Sequence, residues 1–140
     1  MSEENKAVVR RAFEEVANEG DMTTVDEIIA PEFVRHDLAG GPEAHGPDGV
    51  KRLIAGLRTG FPDLRTTIED IFSDGDRVVV RFTARGTHSG PFMGIAPTGR
   101  EAAWSGVNIY RVSGGRIRET WQLADGLGLL RQLGAAPGER

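Results

Sequence analysis

Gly114-Gly115-Arg116-Ile117-Arg118-Glu119-Thr120-Trp121-Gln122-Leu123-Ala124-Asp125 reads as a turn, a strand and the threshold of a helix. Alternation along a strand groups Ile117, Glu119 and Trp121 on one side. An acid between two apolar neighbours has either a partner or a chemical task. Asp125 closes the strand four residues after Trp121, where it also suits the cap of a following helix. These two carboxyls are the first candidates for chemistry.

Upstream, the same strand pattern repeats. Arg77 to His88 alternates, with Val78, Val80, Phe82 and Ala84 on one side and Val79, Arg81, Thr83 and Arg85 on the other. Ser73-Asp74-Gly75-Asp76 is a turn that joins it to a strand over Leu64 to Phe72. Glu101 to Val112 forms another strand, and Ser113-Gly114-Gly115 turns it into the last one. Before these strands the spacing is helical. Val8, Val9, Ala12, Phe13 and Val16 form one stripe of a helix that Gly20 stops. Asp21 caps a short second helix, which ends at Ala30-Pro31. Phe33 to Asp37 reads as a short strand, and Leu38 to Gly46 as a loop. A third helix starts near Pro47 and carries Val50, Leu53, Ile54, Leu57 and Phe61. Gly126 to Leu133 closes the chain with a short helix, and the tail from Gly134 reads as frayed.

Helices first and antiparallel strands second define an α+β chain, with the helices packed on one face of a curved sheet. Such a sheet encloses a pocket. The 140 residues suit one domain over 1–140. A formal net charge of −4, with no basic tract, argues against nucleic acid as a partner. With no cysteine there is no disulfide, thiolate nucleophile or cysteine metal site. His36, His45 and His88 are far apart, so no metal is expected. The polar N-terminus has no signal core and no apolar run is long enough for a bilayer, which points to a soluble, cytoplasmic protein.

Several motifs in order resemble the SnoaL-like polyketide cyclases, of the nuclear transport factor 2-like superfamily. They are Ala17-Asn18-Glu19-Gly20-Asp21, Ala30-Pro31-Glu32-Phe33-Val34-Arg35-His36 and Gly60-Phe61-Pro62-Asp63-Leu64. They continue through Pro97-Thr98-Gly99-Arg100, Ile109-Tyr110-Arg111-Val112, Ile117-Arg118-Glu119-Thr120-Trp121, Asp125 and Leu130-Arg131-Gln132-Leu133-Gly134. The resemblance implies a cone-shaped α+β barrel. It implies an ester cyclase that closes the last ring of an aromatic polyketide by an intramolecular aldol condensation, with no cofactor and no metal. Some relatives are cofactor-free hydroxylases, and the same cone serves as an isomerase or a non-catalytic binding module. The partner implied is a hydrophobic polycyclic small molecule, with self-association into dimers or tetramers through the outer sheet face, where Arg81, Thr83 and Arg85 lie.

The resemblance also ranks the residues. Asp125 matches the family's late aspartate and is expected to be the acid/base. Glu119, which alternation turns inward, comes second, or else pairs with Arg111 or Arg100 as a structural ion pair. The family pattern places His36 in the pocket, to donate to a substrate carbonyl or orient the acid; the alternative is a rim histidine bonded to Asp37 or to backbone. A carboxylate in an apolar pocket has its pKa raised toward working strength. Asn108, disfavoured in mid-strand, reads as a carbonyl donor. Trp121 and Trp104 are expected to stack on a flat ligand, Phe92 and Met93 to form a lid over it, and His88 to lie beside that lid. The chain departs from founding members at Val16-Ala17-Asn18, where they carry an aromatic residue. It departs again at Val107-Asn108-Ile109, where they carry a second pocket histidine.

Overall fold

The computed structural model describes residues 2–135. Helix α1 (Ser2–Arg11) runs on into a wide π turn at Ala12–Ala17, and Phe13, Val16 and Ala17 of that turn are buried. Gly20, in the left-handed region at φ 70°, ends it. Asn18 then fastens the helix end to the sheet. Its side chain donates to the Thr66 carbonyl and accepts from the Thr66 backbone N–H, as a neighbouring strand would. Asp21 caps α2 (Met22–Ile28) by accepting from the backbone of Thr23 and Thr24.

Strand β1 spans Ile29–Asp37, and so begins four residues earlier than the sequence suggests. Pro31 is tolerated because the pairing of β1 is irregular between Ile29 and Val34 and asks no ladder N–H of it. The expected loop contains β2 (Ala44–His45), which pairs with Val34 and Arg35. Helix α3 (Gly46–Gly60) carries Pro47 in its first turn. Strands β3 (Arg65–Asp74), β4 (Arg77–Thr87), β5 (Glu101–Ser113) and β6 (Arg116–Ala124) follow, and α4 (Gly126–Gln132) ends the described chain. Most of the tail expected to fray lies outside the described residues.

The six strands form one sheet in the order β2-β1-β6-β5-β4-β3. All neighbours are antiparallel except β1 and β6, which are parallel. The sheet is open, with β2 and β3 as edges, so helices rather than strand closure complete the wall of the pocket. Its inner face carries Val78, Val80, Phe82 and Ala84 of β4, as alternation predicts, with Ala102, Trp104, Tyr110 and Val112 of β5 beside them. Buried Val9, Phe13, Val25 and Ile28 from the helices join this face in one core. Among the described residues, no helix is long and apolar enough to cross a membrane.

One expectation about the last strand is corrected here. Val112 pairs with Ile117, but Arg111 pairs with Glu119, so Arg118 is an extra residue. That bulge reverses the alternation after Ile117. Ile117 and Thr120 are buried on the inner face, whereas Glu119 and Trp121 lie on the outer one. The extra residue is held by its own side chain, which donates to the Ser113 carbonyl and to Glu32.

Candidate functional site

A cavity of about 700 Å³ lies between the inner face of the sheet and the helices. Phe13, Val16, Leu57, Phe82, Trp104 and Leu129 make much of its wall apolar. A compact polar patch interrupts that wall, and strand register places it. Alternate inward positions of β1, β6 and β5 stand side by side. Arg35, Thr120 and Tyr110 form one row across the three strands; Asp37, Gln122 and Asn108 form the next. All six line the cavity.

The two rows are cross-linked. Arg35 Nε donates to Gln122 Oε1 at 2.7 Å, and Nη2 donates to the same oxygen. Among the described residues no carboxylate is within ion-pair distance of this guanidinium, although the charge of Asp37 acts on it. Burial pulls the Arg35 pKa below the ordinary arginine value, which marks a cation short of both water and counter-ion. Asn108 Nδ2 donates to Tyr110 Oη at 2.7 Å. Asn108 Oδ1 is buried and has no partner among the described residues. Burial also pushes the Tyr110 phenol well above its ordinary value, so it stays protonated and able to donate.

Asp37 is the one carboxylate among the described cavity-lining residues. Its Oδ1 accepts from the Ala39 backbone N–H at 2.9 Å. The chain then folds back so closely that a Cβ on Gly41 would sit 2.2 Å from Asp37 Oδ2. Only glycine permits that approach.

The residues expected from the sequence divide between the cavity and two other places. Asn108, Trp104, Phe92 and Met93 line the cavity. Phe92 packs against Phe61 with ring centroids 5.2 Å apart, while Met93 is exposed at positive φ. His88 is fully buried and lies outside the cavity wall. Its Nδ1 accepts from the Thr98 backbone N–H, which ties the two ends of the 88–99 segment together. Asp125 is exposed and caps α4, accepting from the Gly128 N–H at 2.8 Å.

His36, Glu119 and Trp121 meet on the outer face, so the expected inward aim of Glu119 and Trp121 is corrected. Glu119 accepts there from His36 Nε2 and from Arg111, and His36 stacks on Trp121 at 5.5 Å. Arg77 lies over the Trp121 ring. Arg35, Asp37, Gln122 and Tyr110 are not among the site residues expected from the sequence. A usable signal was Phe33-x-Arg35-x-Asp37, an apolar strand face that turns polar at period two.

An open mixed sheet, a helical cover and a cavity with one acid among neutral and cationic donors define a small-molecule-binding α+β protein. The profile of the SnoaL-like polyketide cyclases matches residues 7–133, and the chain belongs to that family. It is 30% identical over 130 residues to the aklanonic acid methyl ester cyclase DauD of Streptomyces sp. (strain C5), covering 91% of this chain and 80% of DauD. A SnoaL-like polyketide cyclase candidate from Jannaschia sp. CCS1 superposes with a TM-score of 0.87 at 27% identity, covering 97% of this chain and 95% of the other. AclR of Streptomyces galilaeus, a candidate hydroxylase, superposes at 0.83 with 31% identity, covering 98% of this chain and 85% of AclR.

Proposed function

We propose that this chain closes a ring of an aromatic polyketide ester by intramolecular aldol condensation, with Asp37 as the general base. The observation that carries this reading is that Asp37 is the single carboxylate among the described residues of an otherwise apolar and donor-lined cavity wall. Asp125 and Glu119 are engaged elsewhere, one as a helix cap and one in an outer ion cluster. The volume suits a flat polycyclic ligand. The relative from Streptomyces sp. (strain C5), a cyclase of a polyketide methyl ester by its name, supports the reaction class.

In this reading Asp37 takes a proton from a carbon flanked by carbonyls. The electron pair is held as an enolate, whose oxygen draws on the hydrogen-bond donors of the patch. The carbon attacks a ketone of the same molecule, a C–C bond forms and the ketone π pair moves to oxygen. That oxygen takes the proton back from Asp37, and the base is restored. No cofactor enters these steps.

The test is turnover of an aromatic polyketone methyl ester by purified variants. Asp37→Asn is expected to lower kcat by about 10²- to 10⁴-fold, the usual worth of a general base. Asp125→Asn and Glu119→Gln are expected to keep it. Full turnover in a folded Asp37→Asn protein would remove the assignment. The likeness to AclR favours a second reading, cofactor-free hydroxylation in the same cavity; oxygen uptake coupled to product separates the two. We also infer self-association through the outer sheet face, where Phe72, Val107 and Leu123 are exposed. A monomer in sedimentation at micromolar concentration would remove that inference.

A further inference from the structure

We infer that the ligand of this cavity presents a planar oxyanion, a carboxylate or an enolate, to the guanidinium of Arg35. The inference rests on the cavity being the ligand site. It follows from an imbalance in how Arg35 is satisfied. A guanidinium has five N–H donors in a flat fork. Two of its nitrogens, Nε and Nη2, donate to one neutral oxygen, that of Gln122. Nη1 has no partner among the described residues, and the cavity is where this side chain lies.

Charge makes the imbalance sharper. Partly buried arginines elsewhere in the chain find carboxylates or carbonyls: Arg111 pairs with Glu119, and Arg58 donates to the carbonyls of Ala17 and Asn18. Among the described residues Arg35 has no ion pair and a single amide oxygen, that of Gln122, in a wall that is mostly apolar, with the Asp37 charge acting on it only from beyond ion-pair distance. A cation removed from water without a counter-charge is costly, and a bidentate oxyanion is the partner its geometry fits best.

The Asp37 carboxylate, the next inward position of β1, accepts from the Ala39 N–H through Oδ1 and stands beside the guanidinium without an ion pair to it. An oxyanion on Arg35 leaves the rest of a flat ligand against Phe82 and Trp104. Arg52, exposed at the mouth and without an ion pair among the described residues, adds attraction of the same sign.

The neutral donors refine the ligand class. Asn108 Nδ2 and the protonated Tyr110 phenol share the wall with Arg35, so the ligand is expected to carry a second oxygen acceptor beside its oxyanion. A hydroxyaryl acid or an ionised β-dicarbonyl meets both demands. A neutral ester meets only the second.

Calorimetry with the intact protein and three probes tests this. The probes are 3-hydroxy-2-naphthoate, its methyl ester, and the enolate of 1,3-indanedione at alkaline pH. The wild type is expected to bind the acid about tenfold or more tighter than its ester, as a charge-assisted contact would give. Arg35→Gln is expected to abolish that preference while still binding the ester; Arg35→Lys is expected to keep part of it. Tighter binding of the enolate than of the acid assigns the site to an enolate, and the reverse assigns it to a carboxylate.

Equal binding of acid and ester by the wild type overturns the inference without any variant. So does an acid preference that survives in a folded Arg35→Gln protein. Gly56→Phe separates this from the cavity reading, because Gly56 lines the cavity beside open space. If Gly56→Phe blocks the ester and the acid shows no preference, the cavity stands and the oxyanion falls. If no probe binds, or if Gly56→Phe blocks none, both fall.

Discussion

His36 Nε2 lies 2.6 Å from Glu119 Oε2 on the outer face of the sheet, while His36 Nδ1 lies 2.9 Å from Glu43. One imidazole thus ties β1 to β6 and to the segment entering β2. The bond to Glu119 raises the pKa of His36, with Glu43 adding to it, and the bond to His36 lowers that of Glu119. The histidine contribution is complete below about pH 6.5, the ordinary histidine value, and is lost as pH rises through the raised one. The carboxylate contribution is present above about pH 4.5 and is lost as pH falls through the lowered value. Stability is therefore expected to decline from mildly acid to mildly alkaline pH. Urea midpoints across that range measure it, and His36→Ala should flatten the decline. Both side chains keep some solvent exposure, so added salt should weaken the effect. A wild-type midpoint that is level across the range would show the clamp to be idle.

The elements were legible from periodicity because each strand and helix keeps its own spacing. Val78 to Ala84 alternate in the fold as they do in the sequence. The side on which Glu119 lies was not legible, since it depends on one inserted residue. Arg118 is a bulge only because Arg111 takes Glu119 across the ladder, and nothing within Ile117-Arg118-Glu119 signals that choice. Asp125 was read from family pattern, and local chemistry supplied the competing cap. Arg35 and Asp37 sat inside a quoted motif or beside it, but the parallel pairing of β1 with β6 is what brings Arg35 to Gln122, 87 residues on. Pairing at such separation leaves no local trace.

Asp125 accepts from the Gly128 N–H, and Gly128 allows that closeness: a Cβ there would lie 2.2 Å from Asp125 Oδ2. Asp125→Ala is expected to destabilise the fold by about 1 kcal/mol, the usual effect of losing an N-cap. Asp125→Asn should cost less, because asparagine caps as well as aspartate. Chemical denaturation measures both. Kinetics on the same proteins should show kcat little changed, since the cap stands outside the cavity wall. An Asp125→Asn protein of wild-type stability but with no turnover would return the acid/base role to this residue.

Gln122 holds the guanidinium of Arg35 through one oxygen, and this bond carries consequences for both stability and ligand choice. Gln122→Leu keeps most of the volume but leaves a partly buried cation with no side-chain partner. The expected loss is about 2 kcal/mol, in the range for hydrogen bonds to charged groups. The freed guanidinium should then bind 3-hydroxy-2-naphthoate at least as well as before, because its N–H donors no longer face a competing acceptor. Gln122→Glu should do the opposite. A carboxylate at this position pairs with Arg35 inside the cavity, supplies the missing counter-charge and repels a ligand oxyanion. Its stability should match or exceed that of the wild type, while the preference for acid over ester disappears. Urea denaturation and calorimetry on the two variants read these effects separately. A Gln122→Glu protein that still prefers the acid would mean that the anion is held elsewhere, with Arg52 at the mouth the next cation to remove.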